Sequence, residues 1–182
     1  MQPTPGESVS RHVRGWVAFL AVVLLAVSVH GCGRTESSHA DYPGYADLKS
    51  LFTSATLVVE AKVGQGKVQE LVISQETGEK AVYTVYDVTV EHTYKGENDR
   101  VVPVKQAGGK LGRVNYVEDD AVPLEPGTTV ILFLETYVDS PASLLNPTQG
   151  QYRVDEAGGV TSLEGNPIRF SKPDLQRLSA GA

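Results

Sequence analysis

The chain predicts a mainly β fold, a small and mostly antiparallel β-barrel or sandwich with one or two short flanking helices. Extended runs recur with glycine- and proline-rich turns between them. Glycines also fall inside those runs, where bulges bend sheets. No βαβ rhythm is present and no internal repeat is visible, so a parallel sheet is not expected.

The elements follow in order. "ADLKSLFTSA" places Leu48, Leu51 and Phe52 at helical spacing and predicts a short helix over 47–54. In "TLVVEAKVGQGKVQELVI", Leu57, Val59, Ala61 and Val63 point one way and Glu60 and Lys62 the other, the pattern of a half-buried strand. Gly64 and Gly66 should bulge it before it continues to Ile73. "SQETGEK" is a polar turn around Gly78. "VYTVYDVTVEHTY" is the clearest strand, with Val82, Thr84, Tyr86, Val88, Val90, His92 and Tyr94 on one face. Asp87, Glu91 and Thr93 take the other face, which leaves Tyr83 and Val85 hard to place. "KGEND" turns the chain into "RVVPVKQ", where Pro103 marks an edge or a bulge because it cannot donate to a ladder.

"AGGKLGRVNYVEDDAVPLEPG" is expected to be a long irregular connection. "TVILFLET" is apolar on both faces and should lie at the centre of a sheet. "QYRVDEAGGVTSL" reads as a hairpin turning at Gly158-Gly159. Ser171 caps a last short helix with Pro173 in its first turn.

Ahead of these elements, Arg11 and Arg14 precede "WVAFLAVVLLAVSV", fourteen residues without a charge. A basic start, an apolar core and small residues at its end describe a secretory signal peptide. Fourteen helical residues cover about 21 Å, short of the roughly 30 Å of a bilayer's hydrocarbon. The segment closes on Val29, His30, Gly31 and Cys32, the only cysteine. That ending resembles the lipobox of bacterial lipoproteins, in which an aliphatic residue, a variable one and Gly or Ala precede the lipidated cysteine. The resemblance implies cleavage before Cys32, a diacylglycerol on its thiol, and attachment to the outer face of the cell membrane. Two acyl chains suffice for stable anchoring.

The expected organisation is therefore a signal peptide over 1–31, a flexible tether over 32–45 and one domain over 46–182. "GRTESSHADYPGY", small, polar and broken by proline, suits a tether reaching about 40 Å when extended.

Of 16 Lys and Arg and 22 Asp and Glu, only Arg11, Arg14 and Glu7 precede Cys32, so the remainder carries 14 against 21. Such an acidic chain without a basic run argues against nucleic acid and against electrostatic adhesion to anionic lipid. With Cys32 acylated no thiol is left for a disulfide, so stability must come from a hydrophobic core.

"VEHTYKG" and "EPGTTVILFL" are similar to segments of uncharacterised actinobacterial lipoproteins. More remotely, residues 55–163 resemble the OB-like barrel of netrin-like and metalloproteinase-inhibitor domains. The inhibitory chemistry does not follow, because that family uses a free amino-terminal cysteine pinned by disulfides.

Candidate sites are few. His12, His30 and His39 lie outside the expected domain, so a histidine-based triad would have to be built on His92, in phase with the core face. One histidine without thiols gives no zinc site. Glu118, Asp119 and Asp120 form the densest acidic run; their oxygens could hold Ca²⁺, but they do not match an EF-hand loop, and consecutive residues on an extended chain point apart, so a solvated loop is expected. Gln106 to Gly112, "QAGGKLG", lacks the Gly-Lys-Ser/Thr ending of a phosphate loop. Tyr116, Tyr137 and Tyr152, near expected loops, offer either a partner surface or cover for the barrel ends.

The expectation is a non-enzymatic binding module needing no cofactor or metal. Its partners would be the membrane, through lipid on Cys32, and another envelope protein or a small ligand. The alternatives are a hydrolase using Glu118, Asp119 or Asp120, or a small solute- or metal-binding lipoprotein.

Overall fold

A computed structural model describes residues 34–119 and 121–181. Among the described residues, ten strands and two short helices form the mainly β fold expected of a small β-barrel or sandwich. Strands β2 (Leu57–Val72) and β3 (Lys80–Lys95) make a long antiparallel hairpin, followed by β4 (Val101–Ala107). Strand β7 (Thr129–Glu135) pairs with β2, and β8 (Ala142–Leu144) lies between β7 and β4. The order β7–β2–β3–β4–β8 thus returns to β7 and partly closes a ring, with β4–β8 its one parallel pairing. Beyond the ring, β9 (Gln151–Val154) pairs with β7, and β10 (Val160–Ser162) with β9, as the expected hairpin.

Two apolar layers explain the patterns of β2 and β7. Leu57, Val59, Ala61 and Val63 of β2 meet Val130, Leu132 and Leu134 of β7 inside the barrel. Val58, Ile131 and Phe133 face outward beneath helices α1 (Leu48–Ser54) and α2 (Lys172–Ala180). Both faces of β7 are therefore covered, which is why its sequence is uniformly apolar. The helices begin as expected. The Asp47 carboxylate accepts from the Ser50 amide at 2.7 Å, and the Ser171 amide donates to Asp174 at 2.7 Å, with Pro173 inside the first turn.

The outward layer corrects one expectation. Glu60 does not face solvent; α2 covers it, and its carboxylate accepts from Lys172 Nζ at 2.6 Å and the Tyr94 hydroxyl at 3.1 Å. Strand β2 slips register between Val63 and Gly66, as its glycines suggest. A Cβ on Gly66 would lie 2.7 Å from the Tyr86 ring, so the close approach there requires glycine. Two further slips, at Val58/Val59 and Glu60/Ala61, shift the phase of β3. Tyr94 consequently joins the outer layer, while His92 is exposed and packs edge-on against Tyr94 at 4.5 Å, instead of facing the core.

Two other expectations change. The glycine-rich connection is not irregular throughout. Its β5 (Gly109–Leu111) and β6 (Val114–Glu118) form a hairpin, with Gly112 in the left-handed conformation at its turn. Residues 34–45 do not form a free tether either, since β1 (Arg34–Ser38) pairs in parallel with β6.

Candidate functional site

Ladder register builds a polar row on the outside of the barrel. Val85 of β3 pairs with Lys105 of β4, Lys105 with Ser143 of β8, and Ser143 with Glu135 of β7. Directly paired residues share a face, and strands stand about 4.8 Å apart, so Lys105 and Glu135 are rooted about 10 Å apart with Ser143 between them. Tyr83, two residues before Val85, joins the same face.

Loops wall this row into a trough. Tyr137, just after β7, donates its hydroxyl to Glu135 at 3.0 Å. The Lys105 ammonium donates to Ser140 Oγ at 2.7 Å and lies 4.6 Å from the Tyr137 ring centroid and 5.7 Å from that of Tyr83. Tyr42 and Tyr45 form the opposite wall. Gln149 holds Tyr45 by its backbone, accepting from the amide and donating to the carbonyl at 2.9 Å each. Asn146 donates to the Pro43 carbonyl at 3.1 Å. The walled arm has a volume of about 310 Å³. A wider arm of about 850 Å³ shares Tyr83, Lys105, Tyr137 and Ser143 and runs between the β2–β3 turn and the β7–β8 loop.

Burial sets the electrostatics. It raises the phenols of Tyr42, Tyr45, Tyr83 and Tyr137 above their ordinary value. It lowers Lys105, and the nearby Glu135 carboxylate opposes that shift. Ring faces, one ammonium and one carboxylate make a surface suited to holding a small or slender ligand.

The residues singled out from sequence do not form one site. Tyr137 lies in the trough. Tyr116 and Glu118 line an adjoining hollow of about 260 Å³ that shares Gln106, Ala107 and Ala121 with the trough. Glu118 is no exposed loop carboxylate: it is buried and accepts from Ser38 Oγ at 2.6 Å and the Ala40 amide at 2.7 Å, securing β1 against β6. Asp119 is exposed, its amide bonded to the Ser38 carbonyl, while Asp120 and Cys32 lie outside the described residues. Among the described residues no three His, Cys, Asp or Glu side chains gather as a metal site.

Tyr152 is not a surface tyrosine. Its pairing with Ile131 turns it into the outer layer, 1% exposed, against Phe133 and Phe170. Sequence reasoning missed Tyr42, Tyr45, Tyr83, Lys105 and Glu135. The signals were the misfit of Tyr83 in its strand's alternation and two tyrosines in a stretch read as a tether.

Compared with protein-family models, curated proteins and solved structures, the chain matches none. No helix among the described residues is long and apolar enough to cross a membrane.

Proposed function

We propose that this chain is a non-enzymatic binding module, anchored to the outer face of the cell membrane by lipid on Cys32, whose binding surface is the tyrosine-walled trough. The trough carries the reading: it is concave, lined by four tyrosines among aliphatic residues, and equipped with a few convergent polar groups. Its place in the barrel supports the same view. Five-stranded OB-like barrels bind ligands across their second and third strands and between the first-to-second and fourth-to-fifth loops. Counted from β2, those are β3, β4, the β2–β3 turn and the β7–β8 loop, the elements around the wider arm. The analogy is one of fold and adds only to the geometry.

The anchor rests on the sequence around Cys32. Intact mass of the full chain extracted from membranes, beside a Cys32→Ala variant, tests it. A chain beginning at Cys32 and heavier by a diacylglycerol is expected, with the variant released from the membrane fraction. A chain cut elsewhere, or unchanged fractionation of the variant, overturns it.

A further inference from the structure

We infer that the trough holds a neutral glycan, with a sugar ring lying on Tyr137 and Tyr83 and adjacent hydroxyls bridging Lys105 and Glu135. The inference rests on the binding-module reading and adds the ligand's class.

Charge narrows the choice first. Among the described residues lining either arm, Lys105 is the only cation, whereas Glu135 lines the walled arm and Glu70 and Asp139 the wider one. A phosphate-bearing strand would meet three carboxylates and one ammonium, the reverse of what such ligands require.

The charges on the floor are also already engaged. Lys105 donates to Ser140 and lies over Tyr137, and Glu135 accepts from the Tyr137 hydroxyl. Each keeps hydrogen-bonding capacity, because an ammonium has three donors and a carboxylate about four acceptor sites. A hydroxyl both accepts and donates, so neighbouring hydroxyls on one ring satisfy the pair together. The ring's C–H faces then meet tyrosine, a rigid aromatic surface with a polar tip.

Backbone pairing argues against strand addition by a peptide. Lys105 at the floor is paired on both sides, to Val85 and to Ser143, so no ladder edge opens into the trough there. The ligand is read by side chains. The two arms share their central residues, so the trough admits a chain of rings running from Tyr42 toward the β7–β8 loop.

The test is affinity electrophoresis of the detergent-solubilised full chain through gels containing dextran, yeast mannan or arabinogalactan. Retardation by at least one is expected, and it should vanish when that polysaccharide's vicinal diols have been opened by periodate. Tyr137→Ala and Lys105→Met should each weaken retardation about tenfold, while Tyr137→Phe, which keeps the ring, retains most of it. An unchanged circular dichroism spectrum shows that the variants still fold.

Retardation untouched by Tyr137→Ala, or none in any gel, overturns the glycan assignment. In the second case, immobilised full chain is challenged with envelope extract. Material retained through Tyr137 and lost after protease treatment means a peptide ligand and leaves the binding module standing; no Tyr137-dependent retention removes both.

Discussion

Strand β2 is two different strands in one. From Leu57 to Val63 it has β7 on one edge and β3 on the other, with apolar layers on both faces, and Val58, Val59 and Ala61 are wholly buried. Beyond the slip at Gly66 it keeps β3 alone as a ladder partner, and Val72 is 45% exposed. The inner half supplies stability, and the outer half, with its turn, walls the trough. A fold this small cannot commit a whole strand to packing and still present a site. The slip at Gly66 is where β2 changes task.

The sharpest way to break that comparison is to truncate one side chain on each side of it. Phe133 packs against Val58's layer and touches Tyr152 and Phe170 edge-on at 5.7 and 6.0 Å. Phe133→Ala should cost about 3–5 kcal/mol, a buried aromatic lost with little room to collapse. Val72→Ala should change stability by less than about 0.5 kcal/mol. Urea midpoints at constant m-value report both. Similar losses in the two variants would mean that the outer half belongs to the core.

Two glutamates on β2 sharpen the contrast at a smaller scale. Glu60 is buried beneath α2 with Lys172 and Tyr94 bonded to it, whereas Glu70 is exposed. Glu60→Ala should cost about 2 kcal/mol, since it strands the Lys172 ammonium and the Tyr94 hydroxyl. Glu70→Ala should be near neutral. A double-mutant cycle with Lys172→Met measures the coupling, and an additive result would remove α2 from the account of Glu60.

The inner half was legible in the sequence because period-two alternation and uninterrupted apolar runs both report burial. Hence β2, β7, the Gly158-Gly159 hairpin, both helices and the Ser171 cap follow from their residues. The site was not legible, since it depends on register. Lys105 lies far in sequence from Ser143 and Glu135 and becomes their neighbour only when β8 inserts between β4 and β7. His92 was misjudged for the same reason, as two register slips in the β2–β3 pairing interrupt an alternation that looks unbroken in sequence. Glu118 looked like a solvated loop acid because nothing local announces that residues 38–40 bond to it.

Alkaline pH probes the outer layer by a different route. Burial, then the adjacent Glu60 carboxylate and the hydrogen bond to it, raise Tyr94 well above its ordinary value of 10.0. A raised phenol binds its proton more tightly in the folded state than in the unfolded one. Its contribution is therefore complete below pH 10.0 and declines as pH climbs above that value toward the folded-state pKa. Stability of the wild type should fall above that pH, with trough tyrosines shifted the same way adding to the slope. Tyr94→Phe should flatten the profile; an unchanged slope would assign the alkaline loss elsewhere.

The smallest global effect is expected at the amino-terminal wall. Glu118→Gln removes the charge from the bonds to Ser38 and Ala40, and about 1 kcal/mol is at stake. Tyr45 is held separately, by Gln149, and Pro43 by Asn146. Hydrogen exchange should therefore quicken at Ala40 and stay unchanged at Tyr45, with the trough intact. If both amides quicken together, the stretch from β1 to Tyr45 opens as one unit. Glu118 would then control the trough's wall from the adjoining hollow, and ligand affinity should fall in step with the exchange.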